Sequence, residues 1–260
     1  MEINNENYFS EEAEKEYMTY SQIKDFLECE AQALAKIEGR WETPESDALL
    51  QGGYLDAFFS HELEEFKQKH PQIFKKDGSL LAKFDVCRDA IKTIEEDEGF
   101  KNMFFRGDPQ VTLTGAIEGI PFKGKIDMLY PDRIVNMKCM ASVDPVWDEK
   151  EHRKKPFYSY YRYDLQAAIY QELVYQKTGI RLPYYLAVAT KEKTPKKFVF
   201  YFKQEVLDKA LEEVKAKAPR FQAIKKGEVD PIECGECDYY YQIHKFEADF
   251  DIMDITLDNM

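Results

Sequence analysis

Three residues near the middle of the chain have the types and the spacing of a site that binds a divalent cation. Asp127 lies near the end of one predicted strand, and Asn136 and Lys138 lie two residues apart on the next. Because side chains alternate along a strand, Asn136 and Lys138 share a face on which Asp127 can converge. A carboxylate supplies hard oxygen ligands for Mg²⁺, and a lysine can orient a water and offset negative charge beside a phosphate. The pattern indicates phosphodiester chemistry.

The strands that carry these residues can be read from the flanking sequence. Residues 110–117 are rich in strand formers, and Gly119 supplies the positive φ that a tight hairpin turn needs. The return strand covers residues 120–129, and residues 133–138 form a third short strand after a second turn. We therefore expect residues 110–138 to form a three-stranded antiparallel meander.

Two helices are predicted to bring further polar groups to the meander. Residues 160–178 have a helical pattern that places Gln166 and Tyr170 one turn apart on one face. An earlier helix, which begins near Ser46, contains the pair Gly52-Gly53, at a cost of roughly 1 kcal/mol for each glycine. Such a pair indicates close packing or a close approach to a ligand, and Asp56 follows one turn later. Asp56 is either a metal ligand or an ordinary carboxylate on a helix surface.

The composition of the whole chain limits the classes of protein it can be. With 260 residues, 44% hydrophobic and 14% aromatic, it can bury a substantial core. A formal net charge of -13 argues against a surface that is basic all over, although it leaves room for a local basic groove. The sequence shows neither a membrane-spanning run nor a signal peptide, and the five cysteines fit a reducing cytosol. A cytoplasmic location is expected.

The order of predicted elements indicates the fold class and the domain limits. Helices come first, followed by the meander, a helix, two strands and a helix. This order predicts an α/β protein with a central mixed sheet flanked by helices. Residues 1–18 are expected to be a flexible acidic tail, residues 19–246 a single domain, and residues 247–260 a second acidic tail.

These motifs, in this order, resemble the PD-(D/E)xK nuclease superfamily, in which an acid on one strand is followed by acid-x-lysine on the next. The pair Gln166 and Tyr170 resembles a motif of the RecB-like branch, and Asp56 matches the place of an additional metal ligand there. Residues from about 20 to 245 resemble exonuclease VIII-type proteins of phages and prophages. The resemblance implies a restriction-endonuclease-like core with exodeoxyribonuclease activity on linear DNA.

The same resemblance implies roles for individual residues. It places Mg²⁺ or Mn²⁺ at Asp56, Asp127, Asn136 and the Met137 carbonyl. It assigns catalytic roles to the five residues that match the motif positions on the two strands and the following helix: Asp127, Asn136, Lys138, Gln166 and Tyr170. It also implies DNA recombination beside a single-strand annealing protein, away from any membrane, and it is compatible with a homo-oligomer.

The sequence departs from the superfamily pattern at one position. The superfamily has Asp or Glu where this chain has Asn136, and an amide oxygen brings no charge to a cation. Weaker metal binding and slower cleavage are expected. A catalytically inactive DNA-binding or recruitment protein is the alternative, and a fold relative that acts on RNA or free ends in a defence system is a third reading.

The cysteines resemble part of the iron–sulfur site of some RecB-like nucleases. Cys29, Cys234 and Cys237 are one ligand short of a four-thiolate cluster, so no iron–sulfur cluster is expected. His244 could complete a zinc site with them. Ordinary buried thiols are the reading that the sequence favours.

Candidate contacts to nucleic acid complete the sequence-based site. The basic run that contains Arg153 and Lys154 can contact phosphates, and Arg162 stands among tyrosines that can stack on bases. Ser21 is a further candidate. The alternative without a function is that the basic run is a solvated loop and that the tyrosines pack the start of a helix.

Overall fold

The computed structural model describes residues 1–60, 62–104 and 106–245. The part of the chain before the sheet is helical. Its α-helices are α1 (Glu11–Glu16), α2 (Tyr20–Glu28), α3 (Glu30–Ile37), α4 (Asp47–Phe59), α5 (Leu63–Lys69), α6 (Asp85–Glu95) and α7 (Glu98–Phe104), with 3-10 turns at Pro71–Ile73 and Ala82–Phe84. Thr19 and Ser46 cap α2 and α4, because their side chains accept hydrogen bonds from Gln22 N and Leu49 N.

The described chain then forms a five-stranded sheet whose order is β1-β2-β3-β6-β7. Its strands are β1 (Asp108–Ile117), β2 (Ile120–Leu129), β3 (Ile134–Met140), β6 (Tyr184–Thr190) and β7 (Lys197–Tyr201); β4 (Val146–Asp148) and β5 (Arg153–Lys155) form a separate hairpin. β3 and β6 are parallel, whereas the other neighbouring strands are antiparallel. The predicted mixed sheet with an antiparallel meander is confirmed.

Helices cover both faces of this sheet. Between β5 and the end of the described chain lie α8 (Phe157–Tyr160), α9 (Tyr163–Thr178), α10 (Gln204–Lys225) and α11 (Asp238–Ile243). α9 lies against β1 and β2, where Gly124 allows a close approach: a Cβ added there would lie 2.8 Å from Cε1 of Tyr170. On the other face, Val135 and Met137 pack with Ile94 and Phe100 from α6 and α7.

The first residues of the chain differ from the flexible tail predicted for residues 1–18. Tyr8, Ala13 and Met18 are buried, and Met18 exchanges backbone hydrogen bonds with the edge of β2. Lys123, which is fully buried, donates to Glu14 at 2.8 Å. The acidic composition alone predicts a solvated segment. The packing is not evident from the sequence, because the partners of this segment are distant along the chain. The predicted tail at residues 247–260 lies outside the described residues.

Two local features have no clear signal in the sequence. The helical pattern of residues 20–37 is interrupted at Cys29, whose backbone is extended with φ -160 and ψ 114, so α2 and α3 are separate. The segment beyond Lys138 contains the β4–β5 hairpin. None of the helices in the described ranges combines the length and the apolar character that a membrane span requires.

Candidate active site

The carboxylate of Asp127 lies where β2 and β3 separate. Leu129 pairs with Ile134 and Met128 with Val135, and the described ladder between the two strands goes no further. In place of the next ladder bond, the backbone amide of Met137 donates to Oδ2 of Asp127 at 2.8 Å. The end of the ladder therefore turns the Asp127 side chain toward β3 and fixes one of its two oxygens.

Several charged and polar neighbours act on the Asp127 carboxyl. Burial raises its pKa to about 6, and the Lys138 ammonium opposes this shift by favouring the charged form. The Asp56 carboxylate raises the pKa further, whereas the Met137 amide and the Asn136 side chain lower it. Groups from α4 and β3 are therefore near enough to the Asp127 carboxyl on β2 to act on its ionisation.

Asp56 reaches this place from α4, which packs against β3. Its side chain is exposed, so it faces an open side of the site rather than the core. The two glycines one turn earlier differ in the space around them. A Cβ on Gly53 would lie 2.9 Å from Cε2 of Phe66, whereas a Cβ on Gly52 would meet no atom within 4 Å. Gly53 therefore serves the close packing of α4 against α5.

The start of α9 supplies the groups that face Lys138. Arg162 adopts a left-handed conformation with φ 59 before the first turn of the helix. The Nζ of Lys138 lies 5.9 Å from the ring centroid of Tyr163. One turn further, Gln166 Nε2 donates to the Tyr170 hydroxyl at 3.4 Å. Burial raises the pKa of Tyr170, with a smaller contribution from the Asp127 charge.

Buried polar atoms without a hydrogen-bond partner concentrate at this site. Both polar atoms of the Asn136 side chain, Oε1 of Gln166 and the Tyr184 hydroxyl belong to this class among the described residues. Asn136 is fully buried. Its side-chain amide is near enough to lower the pKa of Asp127, although neither of its polar atoms has a hydrogen bond of ordinary geometry. Native structures rarely leave such atoms unpaired unless a ligand, ion or water satisfies them. Oxygen donors from Asp56, Asp127 and Asn136 fit Mg²⁺ or Mn²⁺.

Tyr184 is a member of this cluster that sequence reasoning missed. It is the first residue of β6 and pairs in register with Ile134 on β3. Its hydroxyl is buried, and nearby Tyr170 and Asp127 contribute to a pKa raised well above the ordinary tyrosine value, mainly by burial. Its only sequence signal is its place at the start of a strand, which does not reveal which strand is its neighbour.

The predicted nucleic-acid contacts have different surroundings. Lys154 is exposed on β5, beside Arg153, whose guanidinium is paired with Glu151 at 2.7 Å. Arg162 donates to both carboxylate oxygens of Glu213, at 3.1 and 2.7 Å, so its guanidinium has an internal partner. A surface cavity contains Ser21 together with four acidic side chains, which disfavours a phosphate: Glu11, Glu14, Asp25 and Glu38.

The structure brings together the three predicted cysteines and leaves the histidine apart. The sulfur atoms of Cys29, Cys234 and Cys237 lie within 4.8 Å of one another. His244 does not belong to this group in the described chain, and its Nε2 lies 3.1 Å from Glu233 Oε2. Cys29 is buried, whereas Cys234 and Cys237 are half-buried, so the expectation of ordinary buried thiols describes only Cys29.

Comparison with known proteins adds to this geometry. A family model described as "PDDEXK-like domain of unknown function (DUF3799)" matches residues 19–242. The crystal structure of a protein named "Putative exonuclease" from Eubacterium rectale is 38% identical, covers 95% of each chain and has a TM-score of 0.89. The crystal structure of SSO0001 is 13% identical, covers 76% of this chain and 85% of its own, and has a TM-score of 0.28, which carries no argument. The sequence has no significant match among curated proteins.

Proposed function

The chain belongs to the PDDEXK-like family DUF3799, within the PD-(D/E)xK nuclease superfamily, and on this premise we propose that it is a metal-dependent deoxyribonuclease. The observation that carries the proposal is the convergence of Asp127, Asn136 and Lys138, with buried polar atoms that lack partners. A purely structural cluster would satisfy those atoms internally. Residues 19–246 are proposed to form the nuclease domain.

The proposed cation ligands come from three elements. Asp56 on α4 and Asp127 on β2 supply carboxylates, and Asn136 with the Met137 carbonyl supplies neutral oxygens from β3. When bound, Mg²⁺ or Mn²⁺ supplies Lewis-acid activation of a water and offsets charge on the leaving oxygen. With two formal negative charges, the donor set binds a divalent cation more weakly than one with three carboxylates.

The remaining residues have positioning and electrostatic roles in this proposal. A water attacks phosphorus while the bond from phosphorus to the leaving sugar oxygen breaks. Lys138 holds the attacking water and offsets the charge that develops on the phosphate. Tyr163 lies beneath the Lys138 ammonium, and Gln166 and Tyr170 hold the lysine and the DNA strand. Lys154 and Arg153 on the β4–β5 hairpin are proposed phosphate contacts.

The finer assignment rests on the relative from Eubacterium rectale and on the motif order. The relative carries the name "Putative exonuclease", and we propose exonuclease activity for this chain: digestion of linear DNA from its ends. A role in phage-type recombination follows from the resemblance to exonuclease VIII-type proteins. A single-strand annealing protein as partner, a homo-oligomer and a cytoplasmic location are parts of this proposal.

One observation favours a second candidate function. Asn136 replaces the acid that the superfamily uses, so this position brings no negative charge to a cation. A protein that keeps the fold for DNA binding or recruitment, without cleavage, would tolerate this replacement. It would retain affinity for DNA and show no cation-dependent hydrolysis.

The test compares end-labelled linear duplex DNA with covalently closed circular DNA of the same sequence, in Mg²⁺ and in Mn²⁺. An exonuclease releases label from the linear substrate and leaves the circle intact. Lys138→Ala is the matched control because it removes the ammonium and keeps the carboxylates. Cutting of the circle at a rate equal to that of the linear DNA would contradict the exonuclease assignment. Binding without cutting by the wild type would favour the recruitment candidate.

A further inference from the structure

Three thiols from distant parts of the chain meet away from the nuclease site. The sulfur atoms of Cys29, Cys234 and Cys237 all lie within 4.8 Å of one another, and those of Cys29 and Cys237 are 3.8 Å apart. Tetrahedral zinc with bonds of about 2.3 Å to sulfur places two ligand sulfurs about 3.8 Å apart, whereas a disulfide needs about 2.05 Å. The distance between the Cys29 and Cys237 sulfurs therefore equals that of two sulfur ligands on one zinc ion, and the Cys234 sulfur lies within 4.8 Å of both.

The local backbone is built to bring these sulfurs together. The extended backbone at Cys29 interrupts what would otherwise be a continuous helix, so Cys29 lies at the junction of α2 and α3 and not on a helix face. Gly235, with φ 78, makes the turn between the other two cysteines. Cys237 then caps α11, and its sulfur accepts a hydrogen bond from the Tyr240 amide at 3.4 Å.

We propose that Cys29, Cys234 and Cys237 bind one Zn²⁺ ion, with a fourth ligand that does not come from the described protein. Three sulfurs are too few for an all-cysteine iron–sulfur cluster. His244 pairs with Glu233 and lies outside the sulfur group of the described chain, so it is not the fourth ligand. Zn²⁺ is suited to thiolates and to a site that leaves one position for water.

Such an ion would tie the last described helix to the first helices of the chain. One contact already joins these parts, since Arg40 donates to the Tyr239 hydroxyl on α11 at 2.7 Å. A second contact ties α10 to the same region: the Arg220 guanidinium donates twice to Glu30 at 2.7 Å. Glu236, within the cysteine turn, pairs with Lys150 in the turn of the β4–β5 hairpin. The ion would therefore also support the hairpin that carries Lys154. The site itself is independent of the nuclease proposal.

Cobalt substitution tests the proposal on the full, reduced chain. Co²⁺ bound by thiolates gives intense sulfur-to-cobalt charge-transfer absorption, which carboxylate ligands do not give. We expect this absorption to saturate at about one equivalent per chain and to be displaced by Zn²⁺, as a structural zinc site requires. Cys29→Ser and Cys237→Ser should each remove most of the signal. Cys87→Ala, which alters a buried cysteine outside the group, should retain it, as should His244→Ala.

Two further measurements separate this site from the nuclease site and from misfolding. Asp127→Asn should keep the charge-transfer absorption while it loses cation binding at the nuclease site. Circular dichroism checks the fold, and Cys234→Ser provides a second reading if Cys29→Ser fails to fold. The proposal is overturned if the wild type gives no more charge-transfer absorption than Cys237→Ser. It is also overturned if the metal-free chain is isolated with a Cys29–Cys237 disulfide and the reduced chain takes up no cobalt.

Discussion

The backbone amide of Met137 donates a hydrogen bond to the Asp127 carboxylate at 2.8 Å, at the point where β2 and β3 stop pairing. A side chain here replaces a ladder hydrogen bond, which fixes the carboxylate beside Asn136 and Lys138. The amide engages one carboxylate oxygen, and in the proposed function the other oxygen is the cation ligand. The relationship connects the topology of the sheet to the chemistry proposed for the site.

The ionisation of Asp127 makes stability depend on pH. Folding raises its pKa from the ordinary 3.8 to about 6, so the folded chain holds this proton more tightly than the unfolded chain. The resulting stabilisation is fully present below the ordinary pKa and is lost as the pH rises through about 6. Thermal unfolding in EDTA across this range should show the loss in the wild type and not in Asp127→Asn. Parallel pH curves for the two proteins would contradict the shifted pKa.

The contact between Gly124 and Tyr170 predicts a specific cost for a single methyl group. A Cβ at Gly124 would lie 2.8 Å from Tyr170, so Gly124→Ala should destabilise the chain by about 1–3 kcal/mol and displace the tyrosine. Gly52→Ala is the matched control, because its Cβ meets no atom within 4 Å and alanine favours a helix by about 1 kcal/mol. Urea unfolding measures both changes. Equal effects would show that the close approach has no energetic role.

Replacement of Asn136 by a carboxylate should strengthen cation binding. Asn136→Asp restores a charge at contact distance, where Coulomb attraction to a divalent cation is strong. We expect calorimetric titration with Mn²⁺ to show at least about tenfold tighter binding, which corresponds to about 1.4 kcal/mol. Asp132→Asn, in the turn between β2 and β3, should leave the affinity unchanged. Unchanged affinity in Asn136→Asp would mean that position 136 is not a ligand.

The two basic candidates near the site should respond differently to substitution. Lys154→Ala should weaken DNA binding for all sequences and lower the salt slope by about 1, as expected for one phosphate contact. Arg162→Ala should leave that slope unchanged and cost about 1 kcal/mol of stability, because its partner Glu213 is partly exposed. Fluorescence anisotropy over a salt series measures the slopes. A lower slope for Arg162→Ala would show that its pair with Glu213 opens to DNA.

The meander and its polar residues could be predicted because their signals are local. Strand formers, a Gly119 turn and a two-residue spacing specify β1 to β3, and they place Asn136 and Lys138 together. The same holds for Gln166 and Tyr170, which a helix brings within 3.4 Å. Local periodicity therefore accounts for much of the candidate site.

The remaining features depend on contacts between distant residues. Glu14 and Lys123, which are 109 positions apart, form an ion pair that anchors the N-terminal segment, and neither residue signals the other in the sequence. The helix break at Cys29 leaves the apolar periodicity of α2 and α3 intact, so the pattern reads as a single helix. Tyr184 joins the site only because β6 pairs with β3. Tertiary pairing decides these features.

The rate at which Mn²⁺-dependent cleavage releases label from linear duplex DNA tests the central claim most directly. The proteins to compare are the wild type, Asn136→Asp, and Asn136→Asp combined with Lys138→Ala. We expect slow cleavage by the wild type and a faster rate for Asn136→Asp, since a gain of about 3 kcal/mol in transition-state stabilisation gives a factor of more than 100. The added Lys138→Ala change should abolish the gain. The account is contradicted if neither the wild type nor Asn136→Asp releases label, or if removal of Lys138 leaves the rate unchanged.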